Sequence, residues 1–224
     1  MKNIDLINIF SYDTERYPFR KIIEKILKQS DLENIHNNFD FFLLERTKDQ
    51  STKFHKLFYS EYETSGFKDL YEDFIKTYVA PELDAKVINQ AKPTFRVHMH
   101  DNLGVGEFHR DSDYEHPLEE INFLVPVTEA IDTSTVWIES ETDLADYAPI
   151  NLKYGECLVF RGGLLTHGNK INKTGKSRIS FDFRVIPEKF FKPSAGSSIN
   201  SGMKFKIGEY YNLLEGQDLW RRFF

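Results

Sequence analysis

The spacing of apolar residues changes at about Thr94, and that change restricts the fold more than any other feature of the chain. Before it, Phe19, Ile22, Ile23, Ile26 and Leu27 fall at i, i+3, i+4, i+7 and i+8, one face of an amphipathic helix. Phe67, Leu70, Tyr71, Phe74, Ile75, Tyr78 and Val79 repeat the pattern until Pro81 marks a stop, and Phe54, Leu57 and Phe58 give a shorter piece. These stripes are expected to pack into a core rather than onto a partner. After Thr94 the period is two. Phe95, Val97 and Met99 alternate with Thr94, Arg96 and His98, and Ile121, Phe123 and Val125 with Asn122 and Leu124. The runs 134–140, 156–161 and 178–185 are further strands, separated by glycine and Asn/Asp clusters.

Helices gathered before strands make the chain α+β rather than doubly wound. Many short strands so spaced suggest a sandwich or jelly roll. We therefore expect one domain: a mainly helical layer over 1–90, a jelly-roll core over 91–187, and a loop with an extension over 188–224. At 224 residues the chain fills one well-packed domain and is short for two. A formal charge of −6 argues against a nucleic-acid partner, because phosphate binding calls for a basic footprint. The single cysteine, Cys157, has no internal partner and sits in a strand-like run, so a buried thiol in a reducing, cytoplasmic compartment is expected. No apolar stretch reaches the length of a membrane span, and no membrane association is expected. The oligomeric state stays open.

Chemistry concentrates at His109-Arg110-Asp111. By itself a His-x-Asp triplet is as easily a surface pair. Its context is stronger. It follows Gly104-Val105-Gly106-Glu107-Phe108, read as strand-like, whose glycines allow backbone to approach a ligand. His167 lies beyond a strand and the Gly162-Gly163 turn, where a jelly roll returns the chain toward His109 and Asp111. Two imidazoles and a carboxylate form the facial triad that holds non-haem Fe(II) with positions left open. From 178 to 185 the alternation is unbroken: Arg178, Ser180, Asp182 and Arg184 share one face, and Ile179, Phe181, Phe183 and Val185 the other. If the apolar face packs on the helices, Arg178 and Ser180 turn inward, where a guanidinium can bind a carboxylate through two parallel hydrogen bonds.

These motifs, with Glu120-Ile121-Asn122-Phe123-Leu124-Val125-Pro126, Thr135-Val136-Trp137-Ile138-Glu139-Ser140 and His167-Gly168-Asn169, resemble the Fe(II)/2-oxoglutarate-dependent oxygenases over roughly 90–187. Among them the likeness is greatest to the streptomycin-biosynthesis oxygenase-like group. The resemblance implies a double-stranded β-helix, cupin-like, with the helical layer on one sheet. It implies His109, Asp111 and His167 as iron ligands, Arg178 on the C5 carboxylate of 2-oxoglutarate with help from Ser180, and Asn122 at the other end of that co-substrate. Iron, 2-oxoglutarate and O2 would then oxidise a substrate with release of succinate and CO2. An acid at 111 implies hydroxylation or a related oxidation, since halogenating relatives carry a small residue there to admit chloride.

A small polar metabolite, such as a sugar, cyclitol or amino-acid derivative, is the expected substrate, with Arg96, His98, Trp137 and Arg184 as candidate contacts. Trp137 reads as core before it reads as a substrate platform, and His98 as a satisfied strand histidine before a substrate contact. His98-Met99-His100 lacks the nearby glutamate of a cupin metal set, while His36, His55 and His116 are expected at the surface. Three other readings stay open: a cupin-like isomerase or lyase working without 2-oxoglutarate, a peptide or protein hydroxylase, and a metal-free binding protein.

Overall fold

A computed structural model describes residues 6–38, 51–104, 107–199 and 201–215. The chain opens with strand β1 (Ile7–Ser11) and then builds the helical layer from α1 (Phe19–Leu27), α2 (Lys53–Glu61), α3 (Phe67–Phe74) and α4 (Ala80–Leu83). Helix α1 stops where Lys28 adopts φ 54° and its N–H turns back to the carbonyls of Glu24 and Lys25. The stripe from Phe67 runs past Pro81. A π turn, Ile75–Val79, separates α3 from α4, and Pro81 lies in the first turn of α4. Helical backbone runs without a break from the π turn into α4, so Pro81 falls inside the helical run, and the chain makes one more turn before Asp84 ends it at φ 48°.

Strands β2 (Val87–Gln90), β3 (Thr94–His98), β4 (Ile121–Pro126), β7 (Glu156–Phe160), β9 (Arg178–Pro187) and β10 (Tyr211–Leu213) join β1 in an antiparallel sheet ordered β1-β7-β4-β9-β2-β10. Strand β9 organises it. On one edge it pairs with β4; on the other it pairs first with β3 through Arg178–Asp182 and then with β2 through Val185–Pro187. A second sheet, β6-β5-β8, is made from β5 (Trp137–Ile138), β6 (Ala148–Pro149) and β8 (His167–Gly168).

The alternation in β9 has the expected consequence. Phe181 lies between the helices, its ring centroid 4.8 Å from Phe19 and 5.2 Å from Phe67, and Phe183 lies 5.2 Å from Tyr71. Ile179, Phe181, Phe183 and Val185 belong to the main core with the helical stripes. Edge-to-face ring pairs of this kind add about 0.5–1.5 kcal/mol each beyond the area they bury. Leu124, Val136, Ile138, Leu158, Phe160 and Leu165 form a second cluster between the sheets. A third, Ile88, Ile186, Phe205, Tyr210 and Tyr211, fastens the C-terminal segment to the end of β9.

Within the mainly helical region 1–90, β1 edges the large sheet against β7 and β2 pairs with β9. Other expectations are corrected. The run 134–140 yields only two strand residues. Gly104, Glu107 and Phe108 lie outside any strand, while Val105 and Gly106 fall outside the described residues. A Cβ on Gly104 would meet the His98 ring at 3.1 Å, so this glycine accommodates a core histidine rather than a ligand. Beyond the loop at 192–198, β10 returns to pair with β2. Cys157 is buried, which pushes its thiol well above the usual range. Among the described residues no helix is long and apolar enough to cross a membrane.

Candidate metal centre

The proposed ligands meet because the backbone pairs them. His109 and His167 exchange both N–H···O=C bonds, at 3.0 and 2.9 Å, which sets their rings 4.7 Å apart. Asp111 opens a 3-10 turn, Asp111–Tyr114, and its N–H donates to the Gly162 carbonyl at 2.9 Å. The three donor atoms lie within 4.8 Å of one another. Asp111 Oδ1 is 3.6 Å from His109 Nε2 and 3.8 Å from His167 Nε2.

Their protonation follows from their partners. His109 Nδ1 lies 2.8 Å from the Glu107 carbonyl and His167 Nδ1 3.0 Å from that of Leu165. A carbonyl only accepts, so each Nδ1 carries the hydrogen and each Nε2 turns a bare lone pair to the centre, as a metal ligand requires. Burial lowers the His167 pKa and favours the neutral ring. Burial opposes the charge on Asp111, but the Arg184 guanidinium outweighs it and holds the carboxyl well below its usual range.

Asp111 is oriented by two neighbours. Asn122 Nδ2 donates to Oδ2 at 2.6 Å; Arg184 donates from Nε to Oδ2 at 2.9 Å and from Nη2 to Oδ1 at 3.0 Å. Asn122 and Arg184 are cross-strand partners on β4 and β9, so sheet register delivers both to the same carboxylate. A Cβ on Gly162 would come within 2.6 Å of Asn122 Nδ2, so only glycine leaves that amide its place.

The donor set opens into a cavity of about 680 Å³ between the two sheets, which Arg96, Asn122, Arg178, Asp182 and Arg184 also line. Arg178 is 2% exposed and donates from Nε to the Ser134 carbonyl at 3.0 Å and from Nη1 to Ser180 Oγ at 2.5 Å. Among the described residues no carboxylate ion-pairs with it. Burial first, then the nearby Arg96, pulls its pKa down to about 10. Such a guanidinium seeks an anion. Arg96 differs: its Nε donates to Asp182 Oδ1 at 2.7 Å, and the pair stands together in the cavity wall.

The structure does not bring His98 or Trp137 to the cavity. Past the end of β3 the chain wraps over His98, whose Nε2 lies 3.0 Å from the Asn102 carbonyl and Nδ1 3.2 Å from that of Ser134; burial lowers its pKa to about 3. Trp137 points outward from β5 because its neighbour Ile138 fills the inter-sheet core, and its ring carries Lys170 Nζ at 3.2 Å from the centroid. Asn122 commits an amide hydrogen to Asp111, and Arg184 is likewise bound to that carboxylate.

Two of the three surface histidines are buried or in the cavity wall. His55, 1% exposed, pairs with Thr52 Oγ1 at 2.7 Å, and burial lowers its pKa to about 3. His116 lines the cavity, with its ring 4.4 Å from that of Phe205. His36 is half-buried against Ser177 Oγ at 2.9 Å. Sequence reasoning also missed Glu120, Tyr210 and Tyr211, which surround Arg184. A glutamate entering an otherwise apolar strand was the available signal for the first; nothing local marked the tyrosines.

No family model matches the chain. The streptomycin biosynthesis protein StrG of Streptomyces griseus is 35% identical over 201 residues, spanning 90% of this chain and 95% of that protein. Among solved structures, the nickel complex of ThoJ, a non-heme monooxygenase, superposes with a TM-score of 0.53 at 15% identity, covering 87% of this chain and 78% of that one. The same protein in its apo form also gives 0.53, at 13% identity and with the same coverage. The likeness to ThoJ is one of fold.

Proposed function

Because the chain belongs to the family of the streptomycin biosynthesis protein StrG, we propose that it is an Fe(II)- and 2-oxoglutarate-dependent oxygenase. In this reading the two sheets form a double-stranded β-helix, and the substrate is a small polar metabolite that is hydroxylated or otherwise oxidised with release of succinate and CO2. One observation carries the proposal: a two-histidine, one-aspartate donor set opens into the same cavity as a buried arginine that has no carboxylate partner among the described residues.

The residues fit the metal. Two unprotonated Nε2 atoms and one ionised carboxylate are the donors that suit Fe(II) with open positions. When bound, iron supplies the redox chemistry that activates O2 at the expense of 2-oxoglutarate. The chain does the rest. His109, Asp111 and His167 hold the ion, with their orientation fixed by the Glu107 and Leu165 carbonyls and by Asn122 and Arg184. Arg178, positioned by Ser134 and Ser180, would take the distal carboxylate of the co-substrate through charge-assisted hydrogen bonds. Leu124, Val136 and Phe160 line the apolar part of the wall and limit water around the reacting atoms.

Support for a polar substrate comes from the Arg96–Asp182 pair and from Gln90 and Thr94 in the cavity wall. Covering such groups with an apolar ligand would leave them unsolvated at a cost of about 1–3 kcal/mol each. Arg178, with no carboxylate partner among the described residues, favours an oxygenase using 2-oxoglutarate over an isomerase or lyase, which gives that charge no partner.

The test is anaerobic reconstitution with Fe(II) and 2-oxoglutarate, followed by a metabolite panel scored by succinate release. A metal-to-ligand absorption band on adding 2-oxoglutarate is expected, with release above background for a polar metabolite. An iron protein whose spectrum ignores 2-oxoglutarate would exclude the co-substrate. Coupled turnover with a fatty or polyprenyl substrate alone would exclude the polar class.

A further inference from the structure

Behind Arg184, outside the three-residue donor set, lies a second buried carboxylate. Glu120 is 0% exposed and lies just ahead of β4. Its Oε2 is 3.4 Å from Arg184 Nε and 2.8 Å from His116 Nδ1, and its Oε1 accepts from the Tyr211 hydroxyl. Arg184 in turn holds Asp111 through two hydrogen bonds and reaches the Tyr210 hydroxyl at 3.3 Å. Glu120, Arg184 and Asp111 therefore form one buried chain of charges, closed at its outer end by the C-terminal segment.

Counting the charges gives Glu120 a purpose. Arg184 alone would orient Asp111 but also cancel its charge, and a neutralised carboxylate is a poor ligand for a divalent cation. With Glu120 as a second counter-ion, two carboxylates face the one guanidinium, and His116 Nδ1 lies on the far side of Glu120 at 2.8 Å. The excess negative charge stays in a buried space, where electrostatic effects are strong. We infer that Glu120 is a positioning residue for the metal centre: it compensates Arg184, so that Arg184 fixes the Asp111 carboxylate without consuming the charge that draws the metal. This rests on the metal-centre reading above, and it assigns a role to a residue that touches neither metal nor co-substrate.

The test separates charge from shape. Glu120→Gln keeps the shape and removes the charge; Glu120→Asp keeps the charge and shortens the reach. Fe(II) alone is titrated anaerobically into the full chain by calorimetry, and 2-oxoglutarate is then titrated into the metal-saturated proteins. The wild type should take up one Fe(II) per chain. Glu120→Gln should bind Fe(II) at least about tenfold more weakly, as is usual when a ligand's supporting group is altered. Its affinity for the 2-oxoglutarate anion should be equal or higher, because one negative charge has been removed.

Glu120→Asp should bind Fe(II) close to the wild type, and this arm decides the matter should the Gln variant not fold. Wild-type Fe(II) affinity in Glu120→Gln would overturn the inference and leave the metal centre standing. So would parallel loss of metal and 2-oxoglutarate, or a Glu120→Asp protein that loses iron. A wild type that binds no Fe(II) overturns the metal-centre reading and this inference with it.

Discussion

Replacing Gly162 by alanine tests whether the support around Asp111 is as tight as the distances indicate. The new Cβ would lie 2.6, 2.7 and 2.8 Å from Nδ2, Cγ and Oδ1 of Asn122, a side chain only 5% exposed and with little room to retreat. Either the backbone of the Gly162 turn shifts, moving the carbonyl that holds the Asp111 N–H, or Asn122 leaves Asp111 Oδ2. Overpacking of this kind costs about 1–3 kcal/mol, and losing a hydrogen bond to a charged acceptor costs a similar amount. The lower chain entropy of unfolded alanine returns about 0.4–1 kcal/mol. The net loss, about 1–2 kcal/mol, corresponds to a Tm lower by about 2–8 °C for a domain of this size. Fe(II) affinity should fall by about 10–100-fold, because Asp111 loses a group that orients it. The control is the adjacent glycine. A Cβ on Gly163 finds nothing nearer than Leu118 Cα at 3.6 Å, so Gly163→Ala should leave metal affinity unchanged. Thermal unfolding and anaerobic calorimetry on both variants decide it. Wild-type iron affinity in Gly162→Ala, or equal damage from Gly163→Ala, would refute the steric argument.

Three further outcomes are expected. His167→Ala should lose stoichiometric Fe(II), measured by metal analysis after desalting, and full retention would remove that residue from the ligand set. Arg178→Ala should weaken 2-oxoglutarate binding to the iron protein by about 2–4 kcal/mol, read from the absorption titration; unchanged affinity would place the carboxylate elsewhere. His55, whose pKa burial lowers from 6.5 to about 3, stays neutral in the fold while the unfolded chain takes up a proton below 6.5. Its contribution is therefore complete above pH 6.5 and is lost as pH falls toward 3. The drop in stability between pH 7 and pH 5 should be smaller in His55→Gln by about 2 kcal/mol, measured by denaturant unfolding at both values. An identical drop in both proteins would show that the ring is not buried neutral.

The parts legible in the sequence were those governed by local periodicity. The helical stripe at Phe19–Leu27 and the alternation at Arg178–Val185 each state which side chains share a face, because residues per turn and the pleat are properties of the backbone itself. From those faces followed the packing of Phe181 and Phe183 on the helices and the inward turn of Arg178. His109, Asp111 and His167 were identifiable by residue type and spacing, and the structure gathers their donor atoms within 4.8 Å. Pro81, by contrast, misled: a π turn precedes it and helical backbone continues past it to Leu83.

The partners of each polar group were not legible, since a partner is fixed by register and by chain returning from far away. Arg96 and Arg184 share a face with Arg178 and look alike in sequence. Yet β3 puts Asp182 beside Arg96, β4 puts Asn122 opposite Arg184, and among the described residues no carboxylate pairs with Arg178. His98 follows the alternation that points Arg96 inward, but the loop through Asn102 covers it. Tyr210 and Tyr211 reach Arg184 and Glu120 across 26 and 91 residues of sequence. The sequence by itself determined the faces of the longest helical and strand runs and the kinds of donor available. Only the tertiary structure decided which charges are matched and which are left for a ligand, because burial makes an unpaired charge costly and only the assembled fold settles what lies within hydrogen-bonding reach.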